Sequence, residues 1–263
     1  INLRTAVEKC NLLQQNYIQP NWPAPNNVRA FTSCRSKGFS HPPYDSFNLA
    51  QHVGDDKYLV NKNRQLLPNY QNFIWLNQTH SNICIDLDMI DNVIDATLQA
   101  DACFSTRESQ VCAVMTADCL PILLCDNKGT CVAAVHAGWR GLANGVIEST
   151  VSKMPIYAKN LIAWMGPAIS QRHFEVGKEV KETFTDYPQA FSQKTEDKYF
   201  TNLYYIAKQK MFDLGIPHVF GGEYCTYQRA DLFFSHRRVT HQAANGSNSI
   251  PTTGRMVSAI YLD

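Results

Sequence analysis

Val111-Cys112-Ala113-Val114-Met115-Thr116-Ala117-Asp118-Cys119-Leu120-Pro121-Ile122-Leu123-Leu124-Cys125 decides the fold, together with Thr130-Cys131-Val132-Ala133-Ala134-Val135-His136-Ala137-Gly138-Trp139-Arg140-Gly141 just after it. The runs at 111–115, 121–125 and 130–135 are short, apolar and separated by turns or polar clusters. They are too apolar to leave one face wet, so they read as strands buried on both sides. A helix at 139–154, entered through Gly138, follows the last of them.

Working outward, further strands are expected at 28–32, 73–76, 82–87, 102–104, 161–165 and 256–262, and further helices at 55–67, 177–187 and 202–214. The segment 38–48 is turn-rich and 246–249 reads as a flexible loop. Pro20, Pro23 and Pro25 break the chain after an amphipathic start, so 1–24 is expected to be an N-terminal appendage. No linker divides the remainder. Residues 25–263 are expected to form one α/β (α+β) domain of mixed β-sheets flanked by helices.

Composition narrows the function. The chain has 263 residues and balances 24 Lys+Arg against 23 Asp+Glu, a net charge of +1. A nucleic-acid backbone binder usually shows a basic surplus, so no nucleic-acid partner is expected. With 44% hydrophobic and 18% charged residues, the chain is not a disordered one. No apolar run reaches the length of a membrane span, and residues 1–20 lack the apolar core of a signal peptide. Nine cysteines, an odd number without a Cys-x-x-Cys pair, several inside apolar runs, read as a reducing, cytoplasmic setting.

Three segments place rare residue types at strand ends, where α/β proteins usually put ligands: Asn77-Gln78-Thr79-His80-Ser81, Thr116-Ala117-Asp118-Cys119-Leu120-Pro121 and His136-Ala137-Gly138-Trp139-Arg140-Gly141. Two imidazoles and one thiolate are a standard donor set for a catalytic zinc with an open fourth position. The spacing matches no compact zinc motif, and each residue alone is more often a satisfied core or loop residue.

These segments resemble the YfiH/YlmD family, described as laccase-like multicopper polyphenol oxidase, as peptidoglycan editing factor, and as purine nucleoside phosphorylase with adenosine deaminase activity. The resemblance runs in order from about residue 25 to the C-terminus. It is carried by Tyr44-Asp45-Ser46-Phe47-Asn48-Leu49, Asn63-Arg64, Gln78-Thr79-His80, Ala100-Asp101-Ala102, Phe234-Ser235-His236-Arg237-Arg238 and Thr253-Gly254-Arg255, and above all by the Asp118-Cys119 and His136-Ala137-Gly138-Trp139-Arg140-Gly141 segments. It implies a fold similar to the catalytic domain of cytotoxic necrotising factor, and metal binding by His80, Cys119 and His136. The chain departs from the family pattern at Thr32-Ser33-Cys34-Arg35-Ser36-Lys37-Gly38, at His173-Phe174 and at His236.

Zinc at such a site lowers the pKa of a water toward neutrality, which suits attack on C6 of adenosine. Phosphorolysis of a nucleoside needs an anion site as well. Gly138 and Gly141 at a helix start, with Arg140 and Arg64, suit phosphate, and Asn48 suits ribose hydroxyls. Surface pairing of the arginines and a self-closed turn at Asn48 are the plainer readings. Two other activities compete. A cysteine hydrolase acting on peptidoglycan precursors would use Cys119 as nucleophile and His136 as base, and has no obligate place for His80. A copper polyphenol oxidase with the usual four-copper centre needs more imidazoles than the eight histidines here. Copper can still occupy such a site in vitro, because it binds N/S donors more tightly than zinc. A non-enzymatic binding module has no need of a thiolate and two imidazoles at strand ends.

Overall fold

A computed structural model describes residues 17–90, 98–244 and 251–263. In chain order these form β1 (Tyr17–Ile18), β2 (Val28–Ser33), α1 (Lys57–Gln65), β3 (Cys84–Asp86), β4 (Ala102–Ser105), β5 (Cys112–Thr116), β6 (Leu120–Asp126), β7 (Val132–Ala137), α2 (Trp139–Ala143) and α3 (Val146–Lys153). Then come β8 (Leu161–Met165), β9 (Glu175–Gly177), α4 (Lys178–Glu182), β10 (Phe191–Gln193), β11 (Lys198–Thr201), α5 (Leu203–Asp213), β12 (His218–Gly221), α6 (His236–Ala244) and β13 (Met256–Leu262).

The strands make a six-stranded sheet in the order β12-β8-β6-β7-β4-β3, a four-stranded sheet β1-β2-β13-β5 and a small sheet β10-β11-β9. This is a mixed α/β single domain. The alternation of strand side chains shows why the central runs carry no polar face. Leu120, Ile122 and Leu124 of β6 pack with Leu142, Ile147 and Ile206 from the helices. Leu123 and Cys125 point the other way, toward Val114, Met256 and Ile260 of the four-stranded sheet. Fully burying each large side chain of this kind contributes roughly 1.5–3 kcal/mol. The far face of the four-stranded sheet is closed by Phe31, Phe47 and Leu49. Two polar side chains inside this core pair with each other: Thr32 and Ser258, opposite each other on β2 and β13, share a 2.7 Å hydrogen bond.

Several elements differ from the sequence expectation. Segment 73–76 is buried but is not a ladder strand; it makes a single bridge, Phe73 to Val111. The helix expected at 139–154 is two helices, because Gly145 takes φ +82° between them. Of 177–187 only Lys178–Glu182 is α-helical, and the preceding Glu175–Gly177 is a strand. The small sheet, β12 and α6 carry no clear periodic signal. Tyr17–Ile18 pairs antiparallel with β2. Residues 1–16 of the expected appendage and the expected loop at 246–249 lie outside the described residues. Among the described residues no helix is long and apolar enough to cross a membrane.

For the site, the fold does one decisive thing. β6 and β7 run antiparallel with Pro121 opposite His136 and Leu120 opposite Ala137. The start of β6 and the end of β7 therefore lie side by side, bringing Cys119 to His136.

Candidate functional site

Asp101, just ahead of β4, is fully buried and organises the site. Its carboxylate accepts from the backbone nitrogens of Thr79 (3.1 Å), His80 (3.0 Å) and Ser81 (2.6 Å), and from Ser81 Oγ (2.7 Å). It also accepts from His136 Nδ1 at 2.7 Å. A carboxylate has only lone pairs to offer, so Nδ1 carries the proton and Nε2 is left as the donor atom for a ligand. The same contacts hold His80 at φ +61°, a conformation that costs a non-glycine residue on the order of 1 kcal/mol. Gln78 ties this loop to β5: its Nε2 donates to Met115 O and its Oε1 accepts from Met115 N.

Cys119 is aimed from the tight turn between β5 and β6. Asp118 there has φ +96°. Its carboxylate accepts from Thr226 Oγ1 at 2.6 Å and from the Arg237 nitrogen at 2.7 Å. Cys119 Sγ lies 3.7 Å from His80 Nε2, and the two imidazole rings meet edge-on with centroids 4.8 Å apart. Ligand atoms of His80, Cys119 and His136 all fall within 4.8 Å of one another, close enough to hold one metal ion. It is the one such group of His, Cys, Asp and Glu among the described residues.

The donor chemistry fits a metal. Burial works against ionising the Cys119 thiol, but His136 and His80 outweigh it and bring the thiol down to about 6. Burial likewise lowers His136, yet the Cys119 and Asp101 charges raise it to about 9. Thiolate and imidazolium thus stabilise each other, and a cation replacing the proton meets a preformed anionic ligand. Gly138 gives the group room. A Cβ there would stand 2.9 Å from His80 Cδ2 and 3.0 Å from Cys119 Sγ.

Two cavities flank the cluster. The first, about 240 Å³, adds His52, Gln78, Met115, Thr116, His236 and Arg255 to the three ligands. The second, about 150 Å³, shares His80 and Cys119 and is walled by Trp139, Ile169, Phe174 and Leu203, with Asp118, Arg140 and Arg237. A third, about 340 Å³, adjoins the first through His52 and Met115 and contains Arg64, Lys57 and Trp75.

The structure brings His80, Cys119 and His136 together and places Arg64 and Arg140 in two different cavities. Arg64 stacks its guanidinium 3.7 Å over Trp75 and donates Nε to Leu49 O. Arg140 is exposed and lies over Trp139 at 4.3 Å. Its helix is only five residues long. Asn48 is buried and its amide is engaged by the protein: Nδ2 donates to Ala50 O and Asp55 Oδ2, and Oδ1 accepts from the Ala50 and Arg255 nitrogens. Sequence reasoning assigned no role to Asp101, His52 or Arg255. The signals were there as a carboxylate inside the apolar stretch Ala100-Asp101-Ala102-Cys103 and a cation leading into the last strand.

Residues 29–263 match the family described as multi-copper polyphenol oxidoreductase laccase. The chain belongs to this family. Its YfiH/YlmD relatives include the protein called purine nucleoside phosphorylase YfiH in Shigella flexneri, 45% identical over 93% of this chain and 98% of that one. The Haemophilus influenzae purine nucleoside phosphorylase is 43% identical over 94% and 99%. A solved Neisseria meningitidis protein of family DUF152 superposes with a TM-score of 0.86 at 38% identity, covering 95% of this chain and all of that one. The Cys119 turn and the His136 strand end lie inside the family match, and so does every residue of the cavities described above.

Proposed function

We propose that the chain is a zinc-dependent purine nucleoside phosphorylase that also deaminates adenosine. The observation that carries this reading is a three-ligand group, His80, Cys119 and His136, that opens into cavities on two sides. A structural zinc would be closed by a fourth protein ligand, whereas this group leaves space for substrate. The activity named for the bacterial relatives supplies the reaction class. When bound, zinc supplies Lewis acidity at the open position.

The chain's own residues do the rest. Asp101 holds the proton on His136 Nδ1, orients that imidazole and anchors the His80 backbone. The cavities hold the substrates and the cluster sits between them. In phosphorolysis a phosphate oxygen bonds to C1′ of the ribose and the C1′–N9 bond breaks. Its electron pair leaves with the purine, which takes up the proton given by hydrogen phosphate. In deamination water adds at C6 of adenosine, and the amino group takes one of the water's protons and leaves as ammonia, giving inosine. Neither reaction needs a redox partner.

The test is turnover of inosine and adenosine with and without phosphate. Phosphate-dependent release of hypoxanthine, and phosphate-independent conversion of adenosine to inosine, are expected. Absence of both in the zinc-loaded protein would contradict the reading.

A second reading has one observation in its favour: the Cys119 thiol, brought to about 6, beside a His136 that Asp101 orients. That is also the arrangement of a cysteine hydrolase, in which the thiolate attacks a carbonyl and His136 protonates the leaving group. Such an enzyme would work without metal and without His80.

A further inference from the structure

Resting on the phosphorolysis reading, we propose that the two cavities divide the substrates. Phosphate binds in the first cavity on Arg255, with His52 beside it, and the purine lies in the second against Trp139 and Phe174.

The division follows from what lines each side. Arg255 enters the first cavity from the segment before β13, and is partly buried. Its Nη1 donates to Thr253 O and Gly254 O, which fixes the guanidinium. Among the described residues no carboxylate lies within ion-pair distance of it. Cys119 and Asp118 act on Arg255 through space without an ion pair, so a desolvated cation remains whose cost an anion in the cavity offsets. Burial is the largest influence lowering the Arg255 pKa, as it is for His52 and His236, and Arg255 pushes both histidines down further. Two neutral imidazoles beside one cation leave room for an anion's charge without crowding it with positive groups.

A second observation points the same way. Among the described residues the buried Thr116 hydroxyl has no hydrogen-bond partner, and Thr116 lines this cavity. A buried hydroxyl left unpaired is rare, and this one belongs to a residue of the cavity wall. Among the described residues no Asp or Glu lines the first cavity or the adjoining one that holds Arg64 and Lys57.

The second cavity is the reverse. Its one acidic residue is Asp118, and a carboxylate repels phosphate. Its arginines lie over its aromatic rings, Arg140 at 4.3 Å over Trp139 and Arg237 at 5.3 Å over Phe174. Flat apolar walls suit a heterocyclic base. Arg140 is thereby assigned to the purine side, away from phosphate.

The experiment is calorimetric titration of inorganic phosphate into the metal-loaded protein and into Arg255→Gln, Arg255→Lys and Arg140→Gln, with thermal melting of each. Loss of a charge-assisted contact predicts phosphate affinity about tenfold to a hundredfold weaker in Arg255→Gln, partly restored in Arg255→Lys. Arg140→Gln should stay within about twofold of wild type. Phosphate binding unchanged in a folded Arg255→Gln, or lost in Arg140→Gln but kept in Arg255→Gln, would overturn the proposal. If Arg255→Gln does not fold, Arg255→Lys and His52→Gln decide: wild-type phosphate affinity in both overturns it, and weakened binding in either supports it. Binding is read without turnover. A protein that binds phosphate through Arg255 but does not cleave inosine would therefore contradict the phosphorylase reading and leave this site standing.

Discussion

Asp101 Oδ1 accepts the Nδ1 proton of His136 at 2.7 Å, and the same oxygen accepts the His80 backbone N–H at 3.0 Å. One buried carboxylate therefore positions two of the three candidate metal ligands. Asp101→Asn keeps the size but replaces an acceptor with an amide that faces N–H donors. Zinc affinity should fall by about tenfold to a hundredfold, the usual effect of losing such an outer partner. Competition with a chromophoric chelator measures it, and unchanged affinity would remove Asp101 from this role.

Acid should reveal the same group. Burial raises the Asp101 carboxyl, but hydrogen bonds from His136 and Ser81 outweigh it and bring it to about 2, from an ordinary value of 3.8. A depressed carboxylate stabilises the fold fully above its unfolded value and loses that stabilisation as pH falls toward its folded one. Asp101 should therefore contribute on the order of 2 kcal/mol at neutral pH, lost between about pH 4 and pH 2. Urea titrations of wild type and Asp101→Asn across that window should converge at its acid end. Curves that remain parallel would contradict the assignment.

Gly138 has an ordinary φ of −66°, so any effect of adding a methyl there is steric. Gly138→Ala presses on His80 and Cys119 at about 3 Å. Zinc affinity should fall on the order of tenfold, while the melting of metal-free protein changes by less than about 1 kcal/mol. Equal loss of both would make Gly138 a packing residue.

Arg64→Ala removes a cation from the cavity that adjoins the first. It should weaken phosphate use, read as the KM for phosphate in inosine cleavage, more than it weakens adenosine deamination, which consumes no phosphate. Equal loss in the two assays would place Arg64 with the nucleoside or with the fold, where its stacking on Trp75 already puts it.

How much of this was legible in the sequence varies with the physics. The strand at Leu161–Met165 stood out because both faces are buried and the apolar run is unbroken, and Met256–Leu262 because Ser258 is the one small polar residue in an otherwise apolar run. Segment 73–76 has the same composition yet forms no ladder, since burial and pairing leave the same apolar signature. The small sheet was invisible because Phe191–Gln193 and Lys198–Thr201 are short and half-exposed. His80, Cys119 and His136 could be singled out because imidazole and thiol are rare at strand ends, and the family resemblance then joined them. Asp101 showed only as a carboxylate in an apolar stretch, because its role lies in who donates to it. Those donors are Thr79, His80, Ser81 and His136, which only the fold brings around one carboxylate. At Asn48 the plainer of two readings, a self-closed turn and not a ribose contact, matches the structure, which engages its amide with Ala50, Asp55 and Arg255.

The most direct measurement is zinc content and inosine phosphorolysis on the same preparations of wild type and His80→Ala. The account predicts one zinc per chain in wild type, and joint loss of most of the metal and most of the activity in the variant. A His80→Ala protein that cleaves inosine at the full rate without metal would contradict it.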